Sequence, residues 1–405
     1  MGLYGKIAVA VDNSEHSRHA ERMAMVLAGP IHAPVTGYHV YSGLLHQARF
    51  LALEEFLPGE YRTPEVLEYQ RRVHSVLIDR GLEIISSEYL KPLRDACARE
   101  GIPFREVLSD GKRADLLCDA TSGHDLMVLG AQGIGRIDGM EGLGGTAGRV
   151  LQGAACDLFI ARSPDPPRRI LVGIDGSDAS FACLDRAIGI GKEFGAELTL
   201  LAAFNPALHR SVFSLLSGVL SEEAGKVFRF GEQEDLHNRI IDRSLADLYR
   251  GHLETGLARV AAAGLRGHTV LGEGPAWHAL CTEARAGGHD LLVVGRFGMH
   301  RGPRDRIGSN ALRVAEGSPG NVLVVGGVSG TGETGEAAAF PRASMGTETL
   351  AGELTWDEDA RKRVERIPSF ARPMAMLAIE RYARERGIDR ITSGIMDEAR
   401  RKFGL

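Results

Sequence analysis

The chain has 405 residues, 44% of them hydrophobic and 25% charged, with a net charge of -5. At about 150 residues per domain that is room for two or three soluble domains, each large enough to bury a core. The mildly acidic balance argues against a chain built mainly to neutralise nucleic-acid phosphates or an acidic membrane. Five cysteines, Cys97, Cys118, Cys156, Cys183 and Cys281, form no CxxC pair, which fits a reducing compartment better than a disulfide framework or a zinc site. The first residues, MGLYGKIAVAVDNS, lack a basic segment followed by a long apolar one, and no apolar run is long enough to cross a bilayer. The expectation is a cytoplasmic protein that makes no use of a membrane.

In chain order, KIAVAVDNSEHS (Lys6 to Ser17) opens with a short apolar run that ends in Asp12, then small polar residues, then a helical pattern. A strand HDLMVLGAQG follows at His124 to Gly133, and a helix and strand RVLQGAACDLFIAR at Arg149 to Arg162. The same three shapes return as RILVGIDGSDAS, HDLLVVGRFG and RVAEGSPGNVLVVG, at offsets of 163, 165 and 164 residues. Order and spacing are both kept, so the pattern is a tandem duplication of a whole domain. Each copy reads as five strands with helices between them, the signature of a parallel sheet covered on both faces. Ligands of such sheets sit beyond the carboxyl ends of the strands, where the strand order reverses. The first and fourth strands end there in Asp12 and Gly130, and in Asp175 and Gly295.

Both copies carry a long excursion after the second strand, about Tyr41 to Glu100 and Asn205 to Gly264. Part of each is expected to be the crossover helix, and the rest a helical lobe or lid.

In the second copy the fourth strand runs into Gly295-x2-Gly298, nine residues, then Gly308-Ser309 and a helix. Glycines allow close backbone approach, and successive amides plus a helix N-terminus cradle an anion. Ser309 adds a hydroxyl donor. Asp175 at the neighbouring strand end can accept hydrogen bonds from a ribose or an adenine edge. Donors facing a carboxylate suit a nucleotide; the plainer alternative is a tight strand-to-helix turn, which needs fewer glycines. Arg296, Arg301, Arg304 and Arg306 could meet phosphates, though a solvated loop face is the simpler reading for most of them. His16 and His19, one helical turn apart, lack further metal-ligand partners nearby and read as surface histidines. No P-loop, GxSxG elbow, paired catalytic carboxylates or evident general base is present.

These residues, IDGSDAS and the pattern G-x2-G-x9-G-[ST], resemble the universal stress protein family in its ATP-binding form, over both copies and most of residues 1–326. The resemblance implies two doubly wound five-stranded α/β domains that pair through their last strands, within one chain or between two. It also implies ATP, with Mg²⁺, held at Asp175, Val294, Gly295, Gly298, Gly308, Ser309 and Asn310. The first copy departs: Gly130-x2-Gly133 is followed by ten residues, then Gly144-Gly145-Thr146. Gly145 stands where Ser309 stands, unless Thr146 slips back one place. A second nucleotide site at Asp12, Leu129, Gly130, Gly133, Gly144, Gly145 and Thr146 and a structural half-site are both open.

After Gly326 the composition shifts to Gly, Thr, Glu and Ala without an apolar period, as a flexible linker would. The last segment, from Thr355, reads as a small all-α module with twelve Lys/Arg against nine Asp/Glu. Thr355 and Glu358 have the spacing of a capping box, Pro373 suits a first turn, Gly387 a stop, and Ile391-Thr392 opens a third helix. Its expected core is Trp356, Ile367, Phe370, Met374, Leu377 and Ile379. The tryptophan start, A-x6-IP-x-F-x-R and IT-x3-MDEA resemble the helical domain at the C-terminal end of one subunit of light-independent protochlorophyllide reductase. The nitrogenase-like body of that enzyme is missing, so its reductase chemistry is not implied; a docking or sensing module and a plain helical appendage both fit.

The division is therefore 1–163, 168–327, a linker at 328–354 and a module at 355–405. The expected function is a nucleotide-binding stress regulator without fast turnover. The alternatives are a slow ATPase or phosphoryl- or adenylyl-transfer enzyme on the same fold, or a DNA-associated regulator acting through the C-terminal helices. Expected partners are an adenine nucleotide, the paired repeat or a second copy, and a protein at the C-terminal helices.

Overall fold

A computed structural model describes residues 3–135, 142–205, 236, 244–299, 306–326, 354–365, 376, 379–380, 382–384 and 386–403. The chain divides into two compact units, 1–204 with 247–337, and 205–246 with 338–405.

The large unit holds both repeats. The first runs β1 (Ile7–Ala10), α1 (Glu15–Ala28), β2 (Val35–Tyr41), α2 (Gly43–Ala52), α3 (Pro64–Glu100), β3 (Phe104–Asp110), α4 (Arg113–Thr121), β4 (Leu126–Gly130), α5 (Gly145–Gly153) and β5 (Asp157–Ala161). The second runs β6 (Arg169–Gly173), α6 (Asp178–Phe194), β7 (Glu197–Phe204), α7 (Ala246–Ala262), β8 (Gly267–Glu273), α8 (Ala276–Ala286), β9 (Leu291–Gly295), α9 (Ser309–Gly317) and β10 (Asn321–Val325). One ten-stranded sheet results, in the order β3-β2-β1-β4-β5-β10-β9-β6-β7-β8. Every neighbouring pair is parallel except β5 and β10, which meet antiparallel with Phe159 opposite Leu323. The repeats thus pair through their last strands inside one chain. An antiparallel seam follows from a two-fold relation between the copies, which reverses strand direction across the axis.

The strands lie between two helical layers. Side chains alternate across a pleated strand, and here both sets are apolar: Phe159 and Ala161 enter one core, Leu158 and Ile160 the other, all at 0% exposure. Both cores continue across the seam, through Leu323 and Val325 on one face and Val322 and Val324 on the other. Each buried Phe, Leu or Ile contributes about 1.5–3 kcal/mol over its exposed state. Strand-to-helix turns repeat in detail. Ser14 accepts from the Ser17 amide at the start of α1, and Ser177 from the Ser180 amide at the start of α6. The turn before each demands a left-handed residue, Asn13 at φ 63° and Gly176 at φ 86°, which Asn and Gly tolerate.

The first excursion contains α2, two short 3₁₀ turns and the 37-residue α3. The carboxyl-terminal part of α3 is the crossover helix and buries Ser86, Leu90, Leu93 and Cys97. Its amino-terminal part forms the lobe with α2, held by Gln47 donating to Ser75 and Asp79 at 3.0 Å each and by Phe50 stacked on His74. Most of the second excursion lies outside the described residues; α7 completes that crossover.

In the small unit the described part of the C-terminal module holds α10 (Glu358–Glu365), a second helix ended by Gly387 at φ 65°, and α11 (Ser393–Phe403). It adds a two-residue parallel pair, β11 (Thr355–Trp356) with β12 (Arg390–Ile391). The expected capping box is not formed: Thr355 pairs with Arg390 in that bridge, and Asp357 caps α10 instead, accepting from the Ala360 amide at 2.7 Å. Thr392 accepts from the Ile395 amide at the start of α11. Ile379 is buried with Ala360, Tyr382 and Ile391, and Trp356 packs against them. Of the expected linker only Leu354 is described, and it packs against this cluster; Pro373 and the core positions Ile367, Phe370, Met374 and Leu377 lie outside the described residues.

Candidate nucleotide site

In each repeat a carboxylate fastens the first strand end to the loop after the fourth strand. Asp12 Oδ1 accepts from the Ser14 amide at 3.0 Å, and Oδ2 from the Ile134 amide at 3.3 Å. Asp175 Oδ1 accepts from the Ser177 amide at 3.0 Å and the Ser177 hydroxyl at 2.5 Å, and Oδ2 from the Met299 amide at 3.0 Å. A carboxylate has about four lone-pair positions, so both can still accept from a ligand.

This contact explains the second glycine of the motif. A Cβ at Gly133 would lie 2.5 Å from Asp12 Oδ2, and one at Gly298 would lie 2.7 Å from Asp175 Oδ2. The glycine is required by the neighbouring carboxylate before any ligand is considered. The first glycine has other neighbours: a Cβ at Gly130 would meet the His16 backbone at 2.7 Å, and one at Gly295 the Phe297 carbonyl at 2.9 Å.

The loops close identically on their helices. Gly144 donates to the Ala131 carbonyl and Gly308 to the Arg296 carbonyl, each at 2.8 Å. Gly144 and Gly308 are the N-cap residues of α5 and α9, and no side chain caps either helix. The opening amides of a helix have no intrahelical acceptor and carry about half a positive charge between them, so each start presents donors to an anion. Gly145 occupies the first helical position, as Ser309 does. Thr146 therefore matches Asn310 and does not slip back to replace the missing hydroxyl. Ser309 and Asn310 are exposed. Leu129 and Val294 are core residues, 4% and 6% exposed, so they offer a ligand mainly backbone.

Arg296 is not on a solvated loop face. It is 1% exposed, with Nε donating to the Gly326 carbonyl at 2.6 Å and Nη1 to the Leu151 carbonyl. Arg306 is exposed, and Arg301 and Arg304 lie outside the described residues.

In the first repeat these groups open on a cavity of about 730 Å³. Its walls are Asp12, the loop Gly130–Gly135, the helix start Gly144–Ala147, the end of β2 from Tyr38 to Ser42, Arg113, and Leu82, Ile85, Ser86 and Tyr89 of α3. His39 Nδ1 donates to the Val11 carbonyl at 2.6 Å, and the Tyr89 ring meets its imidazole edge-on at 5.2 Å. Burial pulls the His39 pKa below the usual imidazole range, against the opposing pull of that carbonyl, so the ring is neutral near pH 7. Asp12, Leu129, Gly130, Gly133, Gly144, Gly145 and Thr146 all line this cavity. The β2 and α3 residues were missed from sequence; the cluster GYHVYS at the end of β2 was the available signal. His16 accepts from the Gln132 amide at 3.2 Å and so belongs to the turn. Among the described residues no group of three or more His, Cys, Asp or Glu is placed to hold a metal, and no helix is long and apolar enough to cross a membrane.

The fold and loops are those of a duplicated, doubly wound α/β domain. Residues 3–162 and again 167–326 match the universal stress protein family, and the chain belongs to that family. It is similar to universal stress protein YxiE of Bacillus subtilis (strain 168), 28% identical over 157 residues, which cover 39% of this chain and 97% of that protein. A structure of a protein from Pseudomonas aeruginosa UCBPP-PA14, described as a universal stress protein, shares the fold at 15% identity with a TM-score of 0.50, covering 80% of this chain and 93% of that one. Residues 356–400 match the family described as proto-chlorophyllide reductase 57 kD subunit. The chain is also similar to a light-independent protochlorophyllide reductase chain of Heliobacterium modesticaldum, 33% identical over 66 residues, 16% of this chain and 13% of that protein.

Proposed function

We propose that the chain is a nucleotide-binding stress regulator that holds ATP, with Mg²⁺, in the second repeat and a nucleotide-class ligand in the first. The observation that carries this reading is the duplicated arrangement of a carboxylate, a glycine loop and an uncapped helix start at adjoining strand ends. In the second repeat the ligand would meet Asp175, the backbone of Val294, Gly295, Gly298 and Gly308, and the amides and side chains of Ser309 and Asn310. The loop of residues 299–307 carries three arginines against one aspartate, a balance that favours a polyphosphate. Ligand binding acts by biasing the loops and the lobe, and the C-terminal helices serve as a protein-docking element.

The test is calorimetric titration of ATP with Mg²⁺ into nucleotide-free protein, beside Ser309→Glu. An acid at an exposed first-turn position suits the helix dipole and repels phosphate. Saturable heat that the variant weakens tenfold or more supports the reading. No heat, and no rise in Tm at saturating ATP, would reject it.

A further inference from the structure

The two repeats do not bring the same groups to their helix starts. We propose that the first-repeat cavity selects a nucleoside or nucleoside monophosphate over a nucleoside triphosphate, an inference that rests on the nucleotide reading above. Gly145 supplies no hydroxyl where Ser309 supplies one. Among the described cavity-lining residues Arg113 is the single Lys or Arg, and its Nε already donates to the Val40 carbonyl at 3.2 Å. One guanidinium and one helix start amount to about 1.5 positive charges, and the Asp12 carboxylate faces the same space. That sum answers at most one phosphate of about -1.5 to -2 and leaves the rest of a triphosphate without counter-charge.

The remaining wall suits the neutral parts of such a ligand. Tyr89 and the neutral His39 form an edge-on aromatic pair at 5.2 Å, Leu82 and Ile85 give apolar surface, and Tyr41 adds a hydroxyl. A planar base and a ribose need that mixture of flat apolar contact and a few fixed donors and acceptors. A volume of about 730 Å³ is ample for a nucleoside monophosphate, so charge and not size sets the selection.

The experiment uses the full chain and three probes, adenosine, AMP and ATP, in calorimetry. Ile85→Trp fills the first cavity from a half-exposed position, so the fold should survive, which circular dichroism and Tm check. Gly145→Ser adds the missing hydroxyl where a Cβ meets nothing within 4 Å. The expected result is a site, lost in Ile85→Trp and kept in Ser309→Glu, that binds AMP or adenosine at least tenfold more tightly than ATP. In Gly145→Ser that preference narrows several-fold. If the site lost in Ile85→Trp prefers ATP, or if Ile85→Trp removes no binding while ATP still binds elsewhere, the selectivity inference is overturned and the nucleotide reading stands. If none of the three probes binds the unmodified chain, the nucleotide reading itself falls.

Discussion

The Arg296 guanidinium, which follows the first glycine of the second loop, donates to the carbonyl of Leu151 in the helix behind the first loop, 145 residues away. Arg162 makes the matching contact in reverse, Nη2 donating to the Ala315 carbonyl at 2.6 Å. Leu151 and Ala315 are equivalent positions of the two repeats, but Arg162 and Arg296 are not. The seam is thus completed by arginines from two different places. Below them Asp157 accepts from the Gly326 amide at 2.8 Å, and Asn321 from the Arg162 amide at 2.7 Å.

Arg296→Met should destabilise the large unit by about 3 kcal/mol, because the buried Leu151 carbonyl and the Gly326 carbonyl both lose a charged donor. Urea unfolding measures this. A loss below about 0.5 kcal/mol would show the contact to be dispensable.

Gly298→Ala should destabilise the nucleotide-free protein, since the added methyl meets the Asp175 carboxylate at 2.7 Å. In the Asp175→Ala background the same change should cost less, with a coupling of about 1 kcal/mol or more in the double-mutant cycle. Strict additivity would mean that the glycine is there for the ligand alone.

Glu21 sits on α1 and accepts from the Ser17 hydroxyl at 3.2 Å, while Ser17 accepts from the Asp12 amide at 3.1 Å. Burial raises the Glu21 pKa to about 7, against the lowering pull of the Ser17 hydroxyl. A folded-state pKa above the unfolded value means that its stabilising contribution is complete below about pH 4.5 and lost as pH rises through about 7. Glu21→Gln should therefore raise Tm at pH 8 relative to the parent, with the gain shrinking towards pH 5. A Tm difference that is flat across this range would refute the assignment.

The module offers a smaller test. Asp357→Ala removes the side chain that caps α10 and should cost about 1 kcal/mol. Thr355→Ala, at the position the sequence pattern suggested for the cap, should cost less. Equal losses would restore the capping box.

Residues alone carried the duplication, the ten strands and the glycine loops, because these follow from period and spacing along the chain. IDGSDAS marks a strand, a turn and a capped helix within seven residues, and each of those signals is local. Even the position of Gly145 against Ser309 could be read by counting back from RVLQG. Three things could not be read that way. The close approach of Gly298 to Asp175 joins residues more than a hundred positions apart. Arg296 looked like a loop cation, yet the seam buries it against the other repeat. The cavity wall of Tyr38, His39 and Tyr89 joins a strand end to a helix that begins some twenty residues further on. Local pattern records which face of an element is apolar and where it stops. Which side chains then share a cavity, a carboxylate or a carbonyl depends on the antiparallel meeting of β5 with β10 and the return of α3 across the strand ends, and only the tertiary structure decides those.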